Sequence, residues 1–335
     1  MIHYESVIDM NEDVKPRLII SKCIEFDFCR YNAQIIRSDI VSKMKPYVEF
    51  LPICPEVEIG LGVPRDPIRI IEQESKTYLL QPRTNRDISN DMNQFTQRFL
   101  STQHDIDGFL LKSQSPSCGT RDVKIYPAPT HSAAIRRDAG FFGKHILTQF
   151  PFLAIEDEMR LQNPVIREHF FTKIFTFAQF RNIKHSYSLQ NLLLFHTQNK
   201  FLLMGYNQKE LQILGNILAH QNKQRLSDVF SEYEQHLQHV FSKAPRYTSQ
   251  INVLDHIFGY LSQDLKNTEK EFYASLLEKF RGGLIPLSVL THLLRSWVIR
   301  FDQRYLLPQT FFVPYPDALL DTGTLKISNR RDFWK

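Results

Sequence analysis

Apolar residues in the first half of the chain come in short runs, whereas in the second half they recur at helical intervals. Arg17–Ser21, Val48–Pro52 and Gly108–Lys112 are short apolar runs of strand length, the pattern of buried strands. Between them, Asp39–Val48 and Asn90–His104 have the length and composition of helices. Strand, loop, helix and strand therefore repeat, which predicts an open, mostly parallel α/β sheet of Rossmann-like type. Phe152–Leu161 reads as the end of this domain, followed by a helical connection through Asn163 to Arg181. Further on, Leu211, Leu214 and Leu218 fall on one face of a helix over Asn207–Gln221, with Lys209, Glu210 and Gln212 off that stripe. Similar spacing predicts helices over Leu226–Val240, Gln250–Leu265 and Glu269–Phe280. Arg281-Gly282-Gly283 then stops a helix, and Pro286 opens one that runs to about Arg300. The aromatic, proline-rich stretch Pro308–Pro316 should pack over the bundle as an extended segment. The predicted organisation is an α/β domain over 15–162, a helical linker over 163–184 and an all-α domain over 185–320.

Composition narrows the class. A chain of 335 residues with 42% hydrophobic content can bury two ordinary cores. Its four cysteines, Cys23, Cys29, Cys54 and Cys118, are too few and too unevenly spaced for a secreted disulfide framework. Charged residues stand where a signal peptide needs an apolar run, so a reducing cytoplasm is expected. No stretch approaches the ~18 uninterrupted apolar residues of a membrane span; Leu189–Gly205 is broken by Gln190, His196, Gln198, Asn199 and Lys200. A net charge of +5 is compatible with a polyanionic partner without requiring one.

Candidate chemistry sits at the strand ends. Ser21-Lys22-Cys23, Pro52-Ile53-Cys54-Pro55-Glu56 and Ser115-Pro116-Ser117-Cys118-Gly119 each follow a predicted strand. Ligand sites in open α/β sheets lie outside the carboxyl ends of the strands, so the three cysteine loops should gather there. On spacing alone, an iron–sulfur cluster, a structural zinc or plain burial all account for them.

The residues also match a family pattern. Cys23 with Cys29-Arg30-Tyr31-Asn32, the run from Leu51 through Cys54-Pro55-Glu56-Val57-Glu58-Ile59-Gly60-Leu61-Gly62-Val63-Pro64-Arg65, and Leu111–Gly119 closely resemble the thiouracil desulfidase (TudS) family. Phe195–Met204 and Pro314-Tyr315-Pro316 resemble the YbgA-like domain often fused to it. The family commonly has Cys-Leu-Leu-Gly after its first cysteine, whereas this chain has Cys23-Ile24-Glu25-Phe26, so a differently shaped first loop is expected.

The resemblance implies a [4Fe-4S] cluster held by Cys23, Cys54 and Cys118, with one iron free for the sulfur of a thiocarbonyl base. It implies Glu56 as the group that activates water or shuttles a proton, and Ser115 as a hydrogen-bonding partner of the substrate. Glu56 paired with Arg30 or Arg65, and Ser115 as a turn former before proline, are the plainer readings. Cys29 reads as a pocket or core thiol, because a fourth thiolate would close the open iron. Lys22 and Lys112 could orient an anion or simply be solvated, and Gly60, Gly62 and Pro64 shape their loop. In the helical half, His196 and Lys200 share a helical face that suits a phosphate or a polar rim. Lys184, His185, Arg281, Arg295, Arg300 and Arg304 could add a basic surface. The implied function is replacement of sulfur by oxygen on a thiolated uracil base, with 4-thiouridine in tRNA first and free thiouracil or thiouridine nucleotides next. A non-catalytic interaction protein bearing a cluster or zinc is the alternative.

Overall fold

The computed structural model describes residues 14–320. Two sheets build the first half. β1 (Arg17–Ser21), β2 (Glu49–Ile53), β6 (Gly108–Leu111) and β9 (Ala154–Asp157) form a parallel sheet in the order β2-β1-β6-β9. Ile19 pairs with Leu51 on one side and with Phe109 on the other. Because successive side chains alternate across a sheet, Ile19, Phe109 and Leu111 enter one core and Leu18, Ile20 and Leu110 the other. Helices cover both faces. α1 (Asp39–Met44), capped by the Ser38 hydroxyl, buries Val41 and Met44 on the Leu18 side. α3 (Ser89–Ser101) and α4 (Phe141–Gln149) bury Met92, Phe95, Phe142 and Ile146 on the Ile19 side, while the short α2 (Pro55–Glu58) follows Cys54.

A second sheet was not expected. β3 (Arg69–Gln73), β4 (Lys76–Gln81), β5 (Arg86–Asp87), β7 (Val123–Tyr126) and β8 (Arg136–Asp138) form a mixed sheet in the order β5-β4-β3-β7-β8. β3 and β4 are an antiparallel hairpin whose two central residues, Glu74 and Ser75, both take left-handed φ, 49° and 63°. Such turns are usually marked by Asn and Gly. Here the marker is missing, and the sheet passes unsignalled.

The second half is helical, and its first helix ties it to the sheet. Asn163 accepts the amides of Val165 and Ile166 and starts α5, which spans Pro164–Ser186. Phe170, Phe171, Ile174 and Phe175 pack into the core below β1, whereas Phe177 and Phe180 join the core of the bundle. α6 (Leu189–Tyr206), α7 (Gln208–Ala219), α8 (Leu226–Val240), α9 (Tyr247–Leu261), α10 (Asn267–Arg281) and α11 (Leu287–Arg300) surround Phe201, Leu203, Leu214, Tyr233, Leu254 and Leu294. The segment after α11 lies against α6: the Gln309 amide donates to the Thr197 carbonyl (2.8 Å) and the Thr310 hydroxyl to Asn199 Oδ1 (2.7 Å). It then returns to the α/β core, where Tyr315 meets Phe171 edge-on and Leu319 is buried. Among the described residues, no helix is long and apolar enough to cross a membrane.

Candidate active site

The carboxyl ends of β1, β2 and β6 open on a cavity of about 350 Å³ lined by Cys23, Cys29, Cys54 and Cys118 together with Glu56, Ser115 and Ser117. Cys54 and Cys118 are buried, Cys29 is 3% exposed and Cys23 half-buried. The four are free thiols. Cys29 lines the same cavity as Cys23 and Cys54, and its carbonyl accepts the Cys54 thiol at 3.8 Å. A hydrogen bond with Cys23, with burial, pushes the Cys29 thiol up to about 11. The Cys29 thiol and burial push Cys54 well above the ordinary thiol range, and burial pushes Cys118 up to about 12 against a hydrogen bond from Ser21. Like charges in a buried space are costly without a cation, and a bound metal centre reverses that balance by deprotonating the thiols.

Each cysteine is held by its own device. The first loop lacks the expected glycine, and Glu25 takes the left-handed conformation at φ 68°. Its carboxylate is anchored by the Ser38 amide (2.7 Å) and Lys45 (3.2 Å), which outweigh its burial and keep its pKa below the usual range. Phe26, in the place of that glycine, packs on Phe50 under the Lys45 ammonium. The Cys118 loop is gripped by the start of α4. The amides of Gly140, Phe141 and Gly143 donate to the carbonyls of Gly119, Pro116 and Ser117 at 2.8–3.0 Å. Contact is so close that a Cβ on Gly143 would lie 2.3 Å from the Gly119 carbonyl oxygen.

The polar side of the cavity is one connected network. Arg65, 4% exposed, reaches Glu56 Oε2 through Nε (2.8 Å) and Nη2 (2.7 Å), and donates to the carbonyls of Cys29 and Gly62 at 2.9 Å. Gly60 and Gly62, both at left-handed φ, turn the chain so that Arg65 comes back to Glu56. The other Glu56 oxygen accepts the Ser117 hydroxyl at 2.5 Å. Ser117 in turn shares a 3.0 Å hydrogen bond with Ser115, whose oxygen also accepts the Cys118 amide. Of the two arginines that could pair with Glu56, Arg65 does so. Ser117, which the sequence did not single out, is the residue that touches Glu56; its place in a Ser-Pro-Ser-Cys run was the available signal.

Other sequence candidates have structural partners. Lys112 is bound to Glu158 (2.6 Å) and fixes the backbone of its loop together with Ser113, whereas Lys22 pairs with the half-buried Asp27. His196 bonds the Tyr233 hydroxyl at 3.1 Å, and burial holds its pKa down to about 4. Lys200 lies over the rings of Phe201 and Tyr305. In the expected basic set, Lys184, His185, Arg281, Arg300 and Arg304 each face a carboxylate.

The donor set tests which group fits. Tetrahedral zinc with Zn–S bonds near 2.3 Å puts sulfurs about 3.8 Å apart. Among the described residues, no three cysteine sulfurs lie within 4.8 Å of one another. All-thiolate donors spread around a larger space suit an iron–sulfur cluster, and Cys23, Cys54 and Cys118, from three separate loops, could hold it. A thiol-lined cavity at the carboxyl edge of a parallel sheet, with a half-buried carboxylate and two hydroxyls beside the sulfurs, is the arrangement of an enzyme site.

Comparison with known proteins shows what each half of the chain is similar to. Residues 18–158 match the family described as 2-thiouracil desulfurase, and residues 200–316 match a family described as a protein of unknown function, DUF1722. The chain is similar to the uncharacterized protein YbgA of Escherichia coli (strain K12), 25% identical over 149 residues, covering 44% of this chain and 88% of that one. A solved [4Fe-4S]-dependent thiouracil desulfidase, TudS, is 26% identical and covers 44% of this chain and 94% of its own, with a TM-score of 0.35. The first half of the chain is thus similar to the 2-thiouracil desulfurase family, and the helical half to YbgA and the DUF1722 family.

Proposed function

We propose that this chain is a [4Fe-4S]-dependent desulfidase that replaces sulfur by oxygen on a thiolated uracil base, with 4-thiouridine in tRNA as the principal substrate and free thiouracil or thiouridine nucleotides as lesser ones. The observation that carries the reading is the convergence of three cysteine loops and the Glu56–Ser117 pair on one cavity. When bound by Cys23, Cys54 and Cys118, the cluster would supply an iron without a protein ligand that polarises the thiocarbonyl and takes up its sulfur. The remaining chemistry belongs to the chain. One water is consumed: its oxygen bonds to the ring carbon, the carbon–sulfur bond breaks, and sulfide leaves with the protons. Glu56, aimed by Arg65, is the base that takes a proton from that water. Ser117 donates to Glu56 and so accepts the Ser115 hydroxyl, and Ser115, its oxygen accepting the Cys118 amide, exchanges that partner for the substrate when a base is bound.

Recognition of a base has support at the rim. Tyr31, 43% exposed, lines the cavity with the Arg30 guanidinium 5.7 Å from its ring centre. A pyrimidine taken out of its stack could lie against that face. The resemblance of the fused architecture to tRNA desulfidases favours tRNA, and four free thiols suit a reducing cytoplasm. Protein prepared without oxygen should contain one [4Fe-4S] equivalent and release sulfide from thiolated tRNA faster than from the free nucleotide or base. Iron-loaded protein that releases sulfide from none of the three would leave the non-catalytic reading in place.

A further inference from the structure

Far along the chain from the cysteines, two helices of the second domain bring together a different set of donors. Glu210 lies in the first turn of α7, whose start is fixed by the Asn207 side chain accepting the Glu210 amide. His236 and His239 lie one turn apart on α8, and so on one face of it. The adjoining face of α8 is pinned in the bundle core by Tyr233, Leu237 and Val240, all buried. One ligand atom from each of Glu210, His236 and His239 lies within 4.8 Å of the other two, and all three side chains are half-buried. His236 Nδ1 is 2.7 Å from Glu210 Oε2. The His239 ring stands edge-on to His236 and to Phe152 of the first domain, yet among the described residues its nitrogens have no hydrogen-bond partner.

We propose that Glu210, His236 and His239 form a divalent-metal site of the zinc class in the helical domain. The plain alternative is a Glu210–His236 hydrogen bond with His239 as a bystander. That reading leaves a third donor, unpaired, aimed at the same point from a rigid helix. Two imidazole nitrogens and one carboxylate oxygen are the ligands that Zn²⁺ takes, with the fourth position left to water. At bond lengths of about 2.1 Å, tetrahedral ligands lie about 3.4 Å apart. Side-chain rotation of about an ångström closes His239 onto that geometry and opens the Glu210–His236 pair to it. The site shares no residue with the thiol-lined cavity, so it does not depend on the desulfidase reading.

The test uses the full-length protein in its iron-loaded form. After dialysis against dilute Zn²⁺ and removal of the excess, the wild type should retain about one zinc per chain beyond its iron. His239→Gln and Glu210→Gln should each weaken zinc binding about tenfold or more, the loss seen even when a supporting group of a metal site is removed. Their iron content should not change. Added Zn²⁺ should also raise the melting temperature of the wild type and not that of His239→Gln. Zinc retention and melting shifts in His239→Gln equal to those of the wild type would overturn the proposal, as would a wild type that retains no zinc. Should His239→Gln fail to fold, Glu210→Gln carries the same comparison, and unchanged retention there overturns it equally.

Discussion

Glu56 has both oxygens engaged, one by Arg65 and one by Ser117. An arginine at 2.7 Å holds the carboxylate in one orientation at the cavity wall, which suits a base that acts on a positioned water. Glu56→Gln is nearly isosteric and sits off the sulfur donors, so it should keep its iron and lose turnover by ~10²–10⁴-fold, the range for removing a general acid–base group. Iron content and sulfide release measured on the same preparation check this, and wild-type turnover in the variant would hand the proton to another group. Cys29 poses the opposite question. It is the fourth thiol on the wall of the cavity that the three proposed ligands line, so it could close the open iron. Cys29→Ser should retain a full cluster and most of the activity, since the hydroxyl replaces a small buried thiol without changing the cavity wall. A drop in iron content to that of a Cys54→Ala variant would make Cys29 a ligand and remove the open site on which the reaction depends.

At the scale of elements, the cysteines are set by strands, but the loop that carries Cys118 is set by a helix. Three amides at the start of α4 take the loop's carbonyls, and this is possible because Gly140 and Gly143 allow the two backbones to touch. Gly143→Ala puts a Cβ 2.3 Å from the Gly119 carbonyl oxygen, with no flexible side chain there to give way. The loop must shift, so the variant should lose iron and melt lower, by an amount within the ~1–3 kcal/mol range of overpacking. Full iron and an unchanged melting temperature would show that the helix grip does not position Cys118. Much of this was legible in the sequence. The strands at Arg17–Ser21 and Gly108–Leu111 announce themselves as apolar runs, and the thiols follow from their ends. The grip of Gly140 and Gly143 on Ser115–Gly119 was not legible, because it joins separate stretches of chain more than twenty positions apart and leaves no local pattern. The second sheet escaped for a related reason: its hairpin turns at Glu74-Ser75, residues that give no turn signal, and its strands mix charged with apolar positions.

For the whole molecule, α5 decides how the two halves can be studied. Its residues enter both cores, Arg181 meets the buried Asp107 at 3.0 Å, and the segment near Tyr315 returns from the end of the helical domain to cover Phe171. A chain cut near Arg181 would expose Phe177 and Phe180 and uncover Phe171, so its failure on tRNA would report lost packing as readily as lost recognition. Point substitutions in the intact chain avoid this. Most of the arginines and lysines expected to face RNA are paired with carboxylates, and such pairs contribute little to attraction of a polyanion. Of the cations singled out for phosphate, Lys200, set over two rings, and Arg295 have no ion pair among the described residues. Turnover of thiolated tRNA at low concentration should therefore fall as salt rises, because bound counterions are no longer released to advantage, while turnover of a free thiolated base should not. Lys200→Gln and Arg295→Gln together should reduce the slope of log affinity against log salt by about two, one for each phosphate that the variant no longer neutralises, and leave activity on the free base intact. An unchanged slope in the double variant would move tRNA recognition to the rim of the cavity around Arg30 and Tyr31, and leave the helical domain to some other task.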